Sequence, residues 1–195
     1  EADVPGVVRD GDLLGVAAAD ERSAARAASR VRATWSSDAL PTWDELKQQL
    51  RARGVAPVET PNTRYPPLIR QGDMEAGLAG ATQRMTASYS APPINHAALE
   101  PRAAIAEWRD GGLTVWCGKQ APFLVRGELA KHFGLPETKV RVIVAMPGGA
   151  FGGKQRGECE IEAAMLARAA KAPVRLAWTR EEEFRIAYSR PAGVV

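Results

Sequence analysis

Apolar positions along this chain fall into three patterns, and each predicts an element. Val140 to Ala145 (VRVIVA) is a short apolar run of strand type,. Ala103 to Trp108 and Leu113 to Cys117 flank Arg109-Asp110-Gly111-Gly112, which predicts a β-hairpin with a glycine loop,. Between about Pro122 and Phe133, helical spacing puts Val125, Leu129 and Phe133 on one face, with Gly134 as the stop,. A second helix is expected from about Gly157 to Ala170. Cys159, Ala163, Leu166 and Ala170 mark one of its faces and Ile161, Ala164 and Met165 another, so it should pack on two sides,. Val174 to Thr179 reads as a strand, Thr179 with Glu182 as a capping box, and Tyr188 to Pro191 as extended chain,.

The first half is more polar. Gly6 to Arg9 and Leu13 to Ala19 are extended runs joined by a turn at Asp10-Gly11-Asp12,. Asp20 can cap a helix in which Ala24, Ala27, Ala28, Val31 and Trp35 share a face,. Arg22, Arg26 and Arg30 line its other side, a solvated face rather than a phosphate site,. Thr42 and Glu45 form a capping box for a helix from Trp43 to Arg53, ended by Gly54,. Val55 to Asp73 is proline-rich and aperiodic, which marks a surface loop and candidate linker,. Met74 to Gly80 predicts a short helix, and Ala81 to Ser90 a strand ending at Tyr89. Hairpins and strand-helix units occur together, so the expected fold class is α+β, mixed sheets with packed helices.

The 195 residues suffice for one good core or two small ones, and 45% hydrophobic with 25% charged residues is ordinary for a globular protein,. A net charge of +3 with interspersed Arg and Glu supplies no concentrated basic face, so no nucleic-acid partner is expected,. No apolar run reaches membrane-span length and no basic-then-apolar signal opens the chain, which leaves the compartment open,. The abrupt start at Glu1 points to a piece of a longer parent. Cys117 and Cys159 form no C-x-x-C pair, and with only His96 and His132 they supply no zinc or iron-sulfur ligand set,. Both are expected to be small buried hydrophobes, with a disulfide between them left open.

Candidate chemistry concentrates in Met146 to Arg156, MPGGAFGGKQR. Glycines at this density let main-chain N–H groups approach an anion or polar ring, and a strand feeding a loop into a helix start makes an anion site. Gly148 to Lys154 also fits G-x-x-x-x-G-K, but Gln155 stands where a nucleotide-binding loop has Ser or Thr,. A plain turn is the third reading. Upstream, Gln120 follows a predicted strand, where its neutral amide can hydrogen-bond a ligand or cap the next helix. His96 and Glu100 are four apart, but Pro92, Pro93 and Pro101 oppose a helix, so a loop hydrogen-bond pair is expected,. Glu158 and Glu160 suit the first turn of the following helix.

GGAFGGK, Gln120 in WCGKQAPF and Asn95 to Arg102 (NHAALEPR) occur in the order found in the molybdenum-binding large subunit of the xanthine dehydrogenase and aldehyde oxidase family. The resemblance runs from about Val7 to Pro191 and is nearest to the bacterial isoquinoline 1-oxidoreductase branch. It implies that residues 1–54 are the tail of a hammerhead domain, 55–80 a linker and 81–195 the first part of a molybdopterin-binding domain. It further implies a hydroxylase of N-heterocycles or aldehydes that takes oxygen from water, with molybdopterin as cofactor and an iron-sulfur small subunit as partner. Gln120 would sit beside the molybdenum, the backbone of Gly149, Ala150, Phe151 and Gly152 would hold the cofactor, and Gln155 would face substrate. No catalytic base or metal ligand is assigned within the chain; the glutamate base lies further along the family's sequence. Ala98 and Leu99 stand where relatives have Pro and Met. Ala150 replaces a glycine of the usual GGGFGGK, and a positive φ there would cost about 1 kcal/mol or more.

Overall fold

The computed structural model describes residues 7–53 and 71–195. The chain divides into two compact units, one of Glu1–Ser36 and Asn95–Arg190 and the other of Ser37–Ile94 and Pro191–Val195. The linker proper, Val55 to Arg70, and the Gly54 stop lie outside the described residues.

The first unit opens with β1 (Val8–Asp10) and β2 (Leu13–Gly15), an antiparallel hairpin around the expected turn. α1 (Glu21–Ala28) follows, with Asp20 accepting from the Ser23 N–H. It is shorter than the apolar spacing predicts, and Val31 and Trp35 lie beyond it. The Ser29 hydroxyl donates to the Arg26 carbonyl at 2.9 Å, and the Arg30 and Val31 N–H groups fall back to Ala27 and Ala28. That local competition tightens and closes the last turn.

In the second unit α2 (Trp43–Ala52) carries the full Thr42–Glu45 capping box, and α3 (Met74–Ala79) is capped by Asp73. The strand expected over Ala81 to Ser90 is not formed. Only β3 (Ser90–Ala91) pairs, antiparallel to a two-residue strand at Gly193–Val194, and Tyr89 exchanges two 2.8 Å bonds with Val195. A partner this short cannot extend the ladder further back.

The main sheet belongs to the first unit. β4 (Ala103–Arg109) and β5 (Gly112–Cys117) form the hairpin, with Asp110 and Gly111 both at positive φ as a two-residue turn of type I′ requires,. α4 (Pro122–Phe133) ends at a left-handed Gly134 and crosses to β6 (Val140–Val144), parallel to β5. α5 (Glu158–Ala170) returns the chain to β7 (Val174–Ala177), antiparallel to β4, giving the order β6-β5-β4-β7. α6 (Arg180–Arg185) starts at the Thr179–Glu182 capping box, and Gly193–Val194 is β8.

Register aligns Ala104 with Cys117, Ala106 with Val115 and Leu113 with Val140, and these alternate residues are buried in one core with Val125, Leu129, Cys159 and Ala163. α5 buries seven of its residues, in keeping with contact on two faces. Both cysteines are buried free thiols. Burial pushes the Cys117 thiol up to about 12, with the Glu160 charge adding to the shift, and raises Cys159 in the same direction,.

Candidate functional site

β6 delivers the chain into residues 145–157, and the first contact is Ala145 N–H to the Cys117 carbonyl at 2.9 Å. Positive φ falls at Gly149 (97°), Phe151 (53°) and Gly152 (95°) and spares Ala150, which is buried with the chain folded around it. The strain anticipated at Ala150 is therefore carried by its neighbour. Gly148 and Gly153 are glycines by proximity instead. A Cβ on Gly148 would meet Glu100 Cβ at 2.7 Å, and one on Gly153 would meet the His96 ring at 2.8 Å.

Charged side chains from outside the loop hold its ends. Glu100 Oε2 accepts from Gly148 N–H at 2.7 Å and from Lys154 Nζ at 2.5 Å, and Glu100 N–H returns a bond to the Gly148 carbonyl at 3.2 Å. The Lys154 ammonium holds the Glu100 carboxyl below its ordinary range,. Arg102 donates to the Gly153 carbonyl and to Glu183, lies 3.1 Å from Glu158 Oε2, and sits between the Trp178 and Tyr188 rings. Lys119 Nζ donates to the Arg156 carbonyl at 2.6 Å and lies 2.9 Å from the fully buried Glu160. The Glu160 oxygens find no well-aligned donor, so that contact is charge pairing rather than a directed hydrogen bond,. Tyr188 donates its hydroxyl hydrogen to the Gly152 carbonyl and accepts from Gln155 N–H. Glu128 takes Gly157 N–H at 2.7 Å, where α5 has no side-chain cap.

Gln120 meets this loop. Its N–H donates to the Lys154 carbonyl at 3.0 Å and its Oε1 accepts from Lys154 N–H at 3.3 Å. The four residues expected to hold a ligand, Gly149, Ala150, Phe151 and Gly152, form the apex. Their N–H groups have no acceptor among the described residues, while those of Gly148, Gly153, Lys154 and Gln155 are engaged. Phe151 is 77% exposed, and Gln155 is exposed beyond the loop's end. The clefts beside β2 and between α4 and α5 are lined by neither Gln120 nor residues 149–152.

One expectation changes. Glu100 does not pair with His96; it takes the loop, and His96 packs edge-on against Tyr188 at 5.5 Å. Glu158 and Glu160 do lie in the first turn of α5; Glu160 is also fully buried, and burial raises the Glu158 carboxyl against the opposing pull of Arg102. Sequence reasoning also passed over Arg102, Lys119 and Tyr188. The available signal was the placement of charges at the ends of apolar strands, Arg102 just before β4 and Lys119 just after β5.

Lys154 bears on the nucleotide reading. Its side chain is 4% exposed and paired with Glu100, and α5 begins only at Glu158, so no free lysine faces a phosphate at a helix start,.

Comparison with known proteins extends this picture. A nicotinate dehydrogenase chain of Pseudomonas putida is 33% identical over 93% of this chain and 15% of its own length. The aldehyde oxidoreductase molybdenum-binding subunit PaoC of Escherichia coli K12 is 33% identical over 75% of the chain and 19% of its own length. This chain therefore spans under a fifth of either relative. Among solved structures, quinoline 2-oxidoreductase from Pseudomonas putida 86 superposes with a TM-score of 0.55 at 28% identity, covering 61% of this chain and 16% of that one. The Cu,Mo-CO dehydrogenase shares the fold over 86% of this chain and 23% of its own, with a TM-score of 0.61 at 24% identity. The family model for the molybdopterin cofactor-binding domain matches residues 56–195, and the chain belongs to that family.

Proposed function

We propose that this chain is the cofactor-facing part of the large subunit of a molybdenum hydroxylase, which hydroxylates an N-heterocycle or aldehyde with oxygen from water. The observation that carries the reading is the run of unengaged N–H groups from Gly149 to Gly152, held in a loop braced at both ends. Successive main-chain donors of this kind suit an anionic or polar ring ligand, and glycine at 149 and 152 lets it approach. The residues thus fit a pterin cofactor, which when bound supplies the Lewis acidity and the electron sink for hydroxylation.

In this reading Phe151 packs against the cofactor, Gln120 presents its amide towards the metal, and Gln155 hydrogen-bonds substrate. Gln120 Oε1 already holds Lys154 N–H, so its amide NH₂ remains to donate,. Neither Glu100 nor Glu160 is assigned as the base. Glu100 is held ionised by Lys154, and Glu160 is fully buried. The base is assigned to the remainder of the parent subunit, and electrons leave through an iron-sulfur small subunit. Residues 1–54 form the hammerhead tail, 55–80 the linker and 81–195 the start of the cofactor domain. We assign the chain to the isoquinoline branch on its sequence motifs, and the names of the nicotinate and quinoline relatives support a heterocycle as substrate.

The test is Gln120→Ala in the full-length large subunit with its partner. Activity should fall about 10- to 100-fold with molybdenum content retained, as for removal of groups that orient a metal site. Unchanged activity would remove Gln120 from the site. A scaffold that only binds or assembles would show no hydroxylase activity in the unaltered parent.

A further inference from the structure

We propose that Glu100 and Arg102 are positioning residues, a two-jawed clamp that holds the glycine loop by its main chain and keeps the apex N–H groups turned out for the cofactor. This rests on the reading of the loop as a cofactor cradle. One carboxylate oxygen, Glu100 Oε2, takes both Gly148 N–H (2.7 Å) and the Lys154 ammonium (2.5 Å), so it ties the start of the loop to its end. Two residues later Arg102 takes the Gly153 carbonyl. Pro101 between them fixes its own φ and with it the spacing of the two jaws,.

Everything the clamp grips lies at residues 148, 153 and 154, and everything it leaves free lies at 149–152. A side chain that only filled space would not divide the loop this way. The clamp is also closely fitted. Gly148 approaches Glu100 so nearly that a Cβ would stand 2.7 Å from Glu100 Cβ, and Lys154 is 4% exposed at its side chain, with Glu100 as its counter-charge. Arg102 is anchored from behind by Glu183 and Glu158, which transmit the position of α5 and α6 to the loop.

The experiment uses the full-length large subunit carrying its cofactor, in two variants. Glu100→Gln keeps an acceptor for Gly148 N–H and removes the charge facing Lys154. Gly148→Ala keeps both charges and pushes the jaw off by steric contact, so it serves if the first variant does not fold. Hydrogen exchange is followed in peptides covering residues 146–156 and in those covering β4 and β5, and molybdenum retention is followed during dialysis. Expected in either variant is at least tenfold faster exchange in the loop, unchanged exchange in the strands and at least tenfold faster metal loss. Loop exchange that stays at the parent rate, or that rises equally in β4 and β5, overturns the clamp. A loosened loop with metal retained as in the parent upholds the clamp and instead overturns the cofactor reading of the loop.

Discussion

Phe151 holds φ at 53°, a conformation that costs an L residue roughly 1–2 kcal/mol, and its ring is 77% exposed,. Among the described residues nothing offsets that cost by burial. Phe151→Gly should therefore raise the stability of the isolated chain by up to about 1 kcal/mol, read by thermal or urea unfolding, since glycine accepts the left-handed backbone but adds unfolded-state entropy. A fall in stability would mean the ring packs usefully in this chain. Glu162 is a second residue under tension. Burial raises its carboxyl above the ordinary 4.5, against the pull of the Trp178 indole N–H at 2.6 Å, and Glu182, Glu158 and Glu160 push the same way as burial. A carboxyl raised by folding favours the folded state below its unfolded value, and that contribution is lost as pH rises through the folded one. Glu162→Gln keeps an acceptor for the indole and removes the penalised charge. Its melting temperature should exceed the parent's at pH about 7 and converge with it near pH about 4, where the parent carboxyl is protonated. A gain that persists at the lower pH would assign it to packing instead.

At the scale of elements, α5 lies against β4, β5 and β7 and α4 against β6 and α5 through small and branched side chains, and this packing sets where the loop before α5 begins. Leu129 is fully buried on α4, so Leu129→Ala should cost about 2–5 kcal/mol in urea unfolding, the span reflecting how far the site collapses,. A cost below about 1 kcal/mol would show that α4 is not fastened to the sheet. This part of the fold was legible because local chemistry and tertiary packing agree. Asp110-Gly111 specifies the turn, Gly134 the helix stop and Thr179 with Glu182 the start of α6. Where they disagree, periodicity misleads. Val31 and Trp35 keep the helical spacing of α1, but Ser29 diverts the backbone first. Met85 to Tyr89 alternate apolar and polar as a strand does, yet β8 offers only two residues to pair with. The site was legible as a glycine loop beside Gln120. Its bracing was not, because Arg102, Glu158 and Glu183, like Lys154 and Glu100, are brought together only by folding.

At the scale of the whole molecule, the apex offers four unengaged N–H groups from one loop to the proposed cofactor. Hydrogen bonds to a charged group contribute about 1.5–3 kcal/mol each, so four give roughly 6–12 kcal/mol if all are well formed. Association costs an estimated 4–15 kcal/mol in lost freedom of motion, with desolvation of the polar ligand in addition. The balance is close to zero, and the chain spans 15% of the length of its nicotinate dehydrogenase relative. Under the proposed function, the further contacts come from the rest of the parent subunit. We predict that the isolated 195-residue chain, expressed in a host that makes molybdopterin, carries less than about a tenth of an equivalent of molybdenum by metal analysis and has no hydroxylase activity,. Near-stoichiometric metal would show that this loop with Gln120 holds the cofactor unaided, and would place the missing affinity in this chain rather than in its parent.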